Sequence, residues 1–316
     1  MLNAVIDFGG TNIKLALIKD SKILISTSLP SESHKGIIPK LEETKNCIFS
    51  MLEQQNIHPK ALSAAGIGTP GIVNSEKNKI MSINSKYADI VQVDFNKWCE
   101  ETFFCPLVMD NDANLALLGE TSFGCAKGCE NAVLLTIGTG LGTAAIVEGK
   151  LLKGKHFQAG CLGGHFIIDF NGRACSCGSR GCAETLAGSR ELAEFAPKME
   201  GFYESSLCNE KQINMEALIR LMKLKDEFSM RLFHKMIEIY TATIVNLIHA
   251  YDPEVVILSG GVMKSKEDIL PVLIEKVNSM AWTPWGEVSF KVAENPDHSV
   301  LLGLEAMIQR KYGKAL

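Results

Sequence analysis

No stretch of this 316-residue chain carries five or six like charges in a row, and 32 Lys and Arg against 36 Asp and Glu leave a formal charge of −4. That excludes the electrostatic footprint by which proteins hold nucleic acid or an anionic membrane surface. The N-terminus, Met1-Leu2-Asn3-Ala4-Val5-Ile6-Asp7, has no basic stretch ahead of an apolar one. No window approaches the roughly 18 uninterrupted apolar residues of a membrane span. Low-complexity segments are absent as well. The expectation is a soluble, cytoplasmic chain with neither a nucleic-acid nor a membrane partner.

Two nucleotide-binding patterns also fail. Gly149-Lys150 and Gly154-Lys155 run on into Leu151 and His156, so no G-x-x-x-x-G-K-[ST] loop exists. Gly66-Ile67-Gly68-Thr69-Pro70-Gly71 does match G-x-G-x-x-G after a strand pattern. However, Pro70 removes a donor and disfavours helix at Thr69, and the Asn-, Ser- and Lys-rich residues that follow show no apolar helical period. A dinucleotide-binding dehydrogenase is therefore set aside.

What is present is an ordinary globular composition, 46% apolar and 22% charged, at a length that suits about two domains of roughly 150 residues each. Val5-Ile6, Leu15 to Ile18 and Ile23 to Ser26 read as three strands joined by tight turns at Gly9-Gly10 and Asp20-Ser21. Leu41, Thr44, Ile48 and Leu52 recur at helical spacing. A strand from Leu62 to Ile67 follows, and another from Leu107 to Met109 leads into a helix beginning near Ala113. The later chain reads as a long helix over 227–251, a strand over 255–258, a further helix and a last one over about 300–311. Two polar stretches, 74–89 and 200–211, read as surface loops.

The pattern restarts at Ala132. Val5-Ile6-Asp7-Phe8-Gly9-Gly10-Thr11 lies without a gap over Leu134-Leu135-Thr136-Ile137-Gly138-Thr139-Gly140, and Leu15 to Ile18 continues over Ala144 to Val147 in the same register. Two halves that each open on strand, glycine turn, strand suggest a duplicated domain.

Three glycine turns follow strands: Gly9-Gly10-Thr11, Gly138-Thr139-Gly140-Leu141-Gly142 and Gly260-Gly261. Glycine lets backbone N–H groups approach phosphate oxygens closely and form an anion nest. Related turns in related halves are explained by one ligand gripped from both sides. Asn111-Asp112-Ala113-Asn114 sits where a strand gives way to a helix. Either Asn111 or Asp112 caps that helix, or Asp112 takes a proton from an attacking substrate hydroxyl while Asn111 orients the substrate. Asp7 likewise either caps a turn or holds Mg²⁺ through water beside a nucleotide's phosphates, and without a cation a carboxylate there would repel them.

Of ten cysteines, three cluster. His165 precedes Cys175-Ser176-Cys177-Gly178-Ser179-Arg180-Gly181-Cys182. Three thiolates and one imidazole make a closed tetrahedral zinc set with no open position, hence a structural site, and the glycines permit the tight turns it needs. Cys125 and Cys129 lack a matching pair or nearby histidine; Cys47, Cys99, Cys105 and Cys208 read as packing residues.

Together, Asp7-x-Gly9-Gly10-Thr11-x-x-Lys14, Asn111-Asp112-Ala113-Asn114, Gly138-Thr139-Gly140-x-Gly142 and the C-x-C-G-x-x-G-C-x-E run from Cys175 to Glu184 resemble the ROK family of sugar kinases and related repressors. The resemblance implies an α/β, actin-like or hexokinase-like ATPase fold of two duplicated domains with ATP and sugar in an interdomain cleft. The small domain is expected over 1–112 plus the C-terminal helix of about 299–316, the large one over 113–298. It also implies Asp112 as general base, and Asn84, Asn111, His165 and Glu184 as sugar-binding positions. His165 would use one ring nitrogen for zinc and the other for the sugar. Asp7, Gly9, Gly10, Thr11, Lys14, Gly138, Thr139, Gly140, Gly260 and Gly261 would serve the nucleotide. The implied function is transfer of the γ-phosphoryl of ATP to a hexose hydroxyl, with Mg²⁺, a structural Zn²⁺ and a homodimer or homotetramer.

The alternative is a sugar-responsive regulator or sensor of the same family. Such repressors carry a DNA-binding module ahead of the first phosphate turn, where this sequence has seven residues up to Asp7. One departure bears on substrate. Family kinases usually carry E-x-G-H before the zinc run, whereas this chain reads Leu162-Gly163-Gly164-His165, or Cys161 when aligned on Ala159-Gly160. Losing an ionised acceptor for a sugar hydroxyl forfeits roughly 1.5 to 3 kcal/mol, about one or two decades of affinity. The expectation is weak binding of free glucose, or a hexose altered near its first two carbons, such as a ketohexose or an N-acylated hexosamine.

Overall fold

The computed structural model describes residues 1–84 and 86–313. The chain divides into two compact units: Met1–Gly128 with Lys153–Ala159 and the chain from Glu294 on, and Cys129–Leu152 with Gly160–Ala293.

In the first unit, strands β1 (Leu2–Phe8), β2 (Asn12–Lys19) and β3 (Lys22–Pro30) make an antiparallel meander. Helix α1 (Ile38–Gln54) leads to β4 (Ala64–Thr69), which pairs parallel with β1. A small hairpin, β5 (Ile72–Asn74) and β6 (Lys79–Ser82), and helix α2 (Phe95–Phe103) precede β7 (Leu107–Asn111), parallel to β4, and helix α3 (Asp112–Ser122). The sheet order is β3-β2-β1-β4-β7. Every residue of β1, β4 and β7 is buried, as strands covered on both faces require.

In the second unit, β8 (Ala132–Ile137), β9 (Leu141–Val147) and β10 (Lys150–Leu151) repeat the meander. Helices α4 (Ala183–Ala187), α5 (Ser189–Phe195), α6 (Met215–Lys223) and α7 (Glu227–Tyr251) follow, then β11 (Val255–Ser259), α8 (Lys266–Met280) and β12 (Ser289–Val292). The order is β10-β9-β8-β11-β12, with β8, β11 and β12 parallel. Position for position this is the first sheet again, and both glycine turns fall between the first two strands of their sheets. Asp226 caps α7 by accepting from Ser229 N at 2.8 Å, and Phe233, Met236, Ile237, Tyr240 and Ile244 carry its buried face. Among the described residues no helix is long and apolar enough to cross a membrane.

Two boundaries differ from the sequence-based expectation. Helix α3 groups with the first unit, because it packs along the last helix, α9 (Pro296–Tyr312). Gly119 and Gly303 permit that approach, since a Cβ on either would overlap the backbone oxygen of Ser299 or of Leu115. The first unit therefore extends to Gly128 and resumes at Glu294, and 153–159 joins it. The stretch 74–89 is also more than a surface loop. It holds part of the β5-β6 hairpin and buries Ile80 and Tyr87, and the Asn78 side chain donates to Asn96 Oδ1 and to Leu107 O. Single apolar residues spaced among polar ones carry no period to read.

Gly260 has φ +94°, and a Cβ there would run into the backbone of Ile137. Left-handed geometry and steric overlap act together, so Gly260→Ala should cost about 3 kcal/mol. A thermal melt of the variant against the parent checks this; an unchanged Tm would contradict it.

Candidate functional site

The parallel strands β1, β4 and β7 run side by side, Asp7 opposite Gly68 and Gly68 opposite Asp110. Their carboxyl ends therefore gather Asp7, Thr69, Asp110, Asn111 and Asp112 along one edge, the edge at which open α/β sheets bind ligands. Asn111 is the residue that caps α3: its Oδ1 accepts from Ala113 N at 2.9 Å and Asn114 N at 3.2 Å. Asp112 takes the first helical position, and its carboxylate accepts from Ala113 N at 2.9 Å. Burial pushes its carboxyl above the usual range, while the Lys86 ammonium and the Ala113 N–H oppose that rise. The cap of α3 is thus supplied by Asn111, and the Asp112 carboxylate is not required for it. Asn111 Nδ2 donates to Gly71 O at 2.9 Å, and the same side chain also bonds the Asp112 carboxylate.

Asp7 is 5% exposed, and its Oδ1 is a buried atom with no hydrogen-bond partner among the described residues. Burial first, and the Asp112 carboxylate second, push it up to about 7, against the pull of Lys14 and Lys86. An orphaned carboxylate oxygen beside a second acid fits a divalent cation that would remove both penalties. A linkage effect follows. In the unfolded chain Asp7 ionises near its ordinary 3.8, whereas the folded protein holds the proton to about 7. The native state binds more protons in that window, so stability falls as pH rises through it. The ligand-free protein should melt at a higher temperature at pH 5 than at pH 7.5, and Asp7→Asn should flatten that difference.

Asp110, also buried, pairs with Lys153 at 3.1 Å and accepts from Asn114 Nδ2 and Asn111 N. Lys153 also donates to Ser75 Oγ at 2.5 Å. Asn114, the last residue of the Asn-Asp-Ala-Asn motif, is therefore a support for the edge.

The first glycine turn is held from three sides. Ser31 and Ser33 hydroxyls donate to Gly10 O at 2.6 and 3.2 Å, and the buried Tyr87 hydroxyl donates to Gly9 O at 2.9 Å. Thr11 is exposed at the turn. Lys14 stands opposite Asp7 across the β1-β2 ladder and forms an ion pair with Asp297 at 2.8 Å. Asn84 is exposed, in the segment that leads to Lys86 and Tyr87. Sequence pattern does not single out Lys86 or Tyr87, which lie in a stretch that reads as polar loop; the lone tyrosine beside a lysine was the available sign.

In the second unit, the Gly138-Thr139-Gly140 turn is anchored by the start of α5: Ser189 N donates to Gly138 O and Arg190 N to Thr139 O, both at 3.1 Å. Glu184 Oε2 accepts from Leu141 N at 3.0 Å and fills the space a Cβ on Gly140 would need. Gly260 and Gly261 follow β11, Gly261 with open space where a side chain would stand.

His165, Cys175, Cys177 and Cys182 converge, their candidate ligand atoms all within 4.8 Å of one another. Cys175 Sγ lies 3.6 Å from His165 Nδ1, and Cys177 Sγ lies 3.7 Å from Cys182 Sγ. A tetrahedral centre about 2.3 Å from each thiolate places neighbouring sulfurs about 3.8 Å apart, so the spacing fits zinc. The chemistry agrees: burial and the adjoining Cys175 and Cys177 thiols push Cys182 up to about 12, a penalty a divalent cation reverses. Because Nδ1 faces the cluster, Nε2 is the ring nitrogen left for other partners.

The model of the ROK family matches residues 3–311. The chain is 27% identical to the glucokinase of Thermotoga maritima, over 98% of this chain and 97% of that protein. It is 28% identical to the xylose repressor of Bacillus subtilis over 78% of this chain, a match that spans 61% of the repressor's length. The crystal structure of a ROK hexokinase from Thermus thermophilus superposes with a TM-score of 0.77 at 26% identity, covering 98% of this chain and 99% of that one. The architecture is the actin-like, hexokinase-like ATPase fold, as the two matching sheets lead one to expect.

Proposed function

The chain belongs to the ROK family, and from that premise we propose that it is an ATP-dependent sugar kinase, passing the γ-phosphoryl of ATP to a hydroxyl of a hexose, the 6-hydroxyl first. The observation that carries this reading is the edge of the first sheet. There Asp112, relieved of capping by Asn111, stands within electrostatic reach of the buried acid Asp7. A phosphoryl transfer asks for a base at the attacking hydroxyl and a carboxylate at the phosphates, with little covalent chemistry besides.

In this reading Asp112 accepts the proton of the acceptor hydroxyl as that oxygen attacks phosphorus. Asn111, together with Asn84, His165 Nε2 and Glu184, orients the sugar. Gly9 to Thr11 and Gly138 to Gly140 offer backbone N–H groups to the phosphates, with Lys14 nearby and Gly260 and Gly261 toward the adenosine. Mg²⁺ beside Asp7 supplies charge neutralisation of the phosphates, and zinc on His165, Cys175, Cys177 and Cys182 supplies a fixed scaffold for α4. A homodimer or homotetramer is part of the same reading.

Neither Leu162 nor Cys161 offers an ionised acceptor to the sugar. Free glucose should therefore bind about one to two decades more weakly than in a kinase with a carboxylate there, and a ketohexose or N-acylated hexosamine is the preferred substrate class. ADP release measured across glucose, mannose, fructose, tagatose, allose and N-acetylhexosamines tests both parts. A micromolar KM for glucose would overturn the weak-glucose reading, and no turnover with any of these sugars would overturn the kinase. Kinship with the repressor makes a non-catalytic sugar sensor the second reading. Retention of both Asp7 and Asp112 speaks against it.

A further inference from the structure

Beyond the two acids, the edge of the first sheet carries a cation whose place is built by the fold. Tyr87 N donates to Ser33 O at 2.9 Å, Tyr87 Oη donates to Gly9 O, and Asp89 accepts from Ile37 N at 2.6 Å and Ile38 N at 3.2 Å at the start of α1. The backbone on the C-terminal side of Lys86 is therefore tied to the serine turn, to the first glycine turn and to a helix end. Its side chain lies directly over Gly10: a Cβ built on that glycine would stand 2.6 Å from Lys86 Nζ and 2.7 Å from its Cε. The one ammonium bears on both acids, lowering Asp7 and Asp112 alike.

We propose that Lys86 is a further catalytic residue, its ammonium placed over Gly10 to contact the oxygens of the phosphoryl group in flight between ATP and the acceptor. The inference rests on the kinase reading above. The geometry places the ammonium over the first glycine turn, on the phosphate side in the kinase reading, and its charge also reaches Asp7 and Asp112. Negative charge spreads over the equatorial oxygens of the transferred group in the transition state, where a preorganised cation is most effective.

The test is Lys86→Met and Lys86→Arg, with the melting temperature and circular dichroism of each confirming the fold. With whichever hexose the parent turns over, Lys86→Met should lower kcat by about 10²- to 10³-fold. KM for that hexose should stay within about twofold, and Lys86→Arg, which keeps the charge, should regain about tenfold of the loss. A kcat within threefold of the parent overturns the inference. So does a loss confined to the KM of the hexose, which would make Lys86 a contact to an acceptor group instead. Should the parent turn over no hexose, the kinase reading falls by itself, and titration of nucleotide decides Lys86 separately. ATP must then weaken by at least about tenfold in Lys86→Met while ADP stays within twofold; equal losses, or none, overturn it.

Discussion

Replacing Asp112 by Asn should lower the turnover of the proposed hexose phosphorylation by about three orders of magnitude, at the upper part of the range for a positioned general base, while KM for the hexose should change little. The substitution keeps volume and shape, and the helix start does not depend on Asp112, because Asn111 supplies the cap. What it removes is the proton acceptor alone, an interaction used only as the hydroxyl attacks, and such a loss appears in kcat and not in ground-state binding. The parent's pH profile sharpens the test. Burial raises Asp112, and burial with the Asp112 charge holds Asp7 at about 7. The pair should therefore set an acid limb of kcat/KM above the ordinary carboxylate range, with apparent values that belong to both acids together. In Asp112→Asn the residual activity should lose part of that limb. A variant that retains more than about a tenth of parental turnover would take the base role away from Asp112.

How much of this was legible beforehand differs by physical cause. The duplication was readable because β1 and β8 are buried on both faces and so print as near-continuous apolar runs, each ending in a glycine turn. Their shared register then fixed the correspondence of Gly9 to Thr11 with Gly138 to Gly140 without any structure. The convergence of His165, Cys175, Cys177 and Cys182 was readable because their spacing is short and local. That helix α3 groups with the first unit is not legible in sequence because its partner, α9, lies at the other end of the chain; the two glycines that let them meet, Gly119 and Gly303, look like any others in sequence. Which of Asn111 and Asp112 caps α3 was undecidable from residue type, since both cap well; a hydrogen bond decides it. Lys86 and Tyr87 escaped for the opposite reason. Their importance comes from contacts with Gly9, Gly10 and Ser33, none of them within 50 residues in sequence.

Cys182→Ser should abolish stoichiometric zinc and lower the stability of the second unit by about 4 kcal/mol, roughly 10 °C in Tm for a unit of this size. Cys182 is buried and stands at the N-cap of α4 without contributing a side-chain cap bond, so its sulfur is committed to the cluster and not to the helix. Two residues on, Glu184 accepts from Leu141 N, where β9 leaves the second glycine turn, and Gly188 N closes α4 on Glu184 O at 2.7 Å. The next residues, Ser189 and Arg190, hold the carbonyls of Gly138 and Thr139. The cluster, α4 and the glycine turn thus form one continuous run of contacts, and releasing its first member loosens the last. Activity should accordingly fall by about ten- to a hundredfold even though none of the four cluster residues is the base, and KM for ATP should rise along with it. Chelation of the parent should reproduce the Tm loss, and Cys129→Ser, outside the cluster, should leave both Tm and zinc content unchanged. If elemental analysis finds no zinc in the purified parent and a chelator leaves its Tm in place, the three thiols and the imidazole pack together without a metal, and the scaffold argument for Glu184 fails with them.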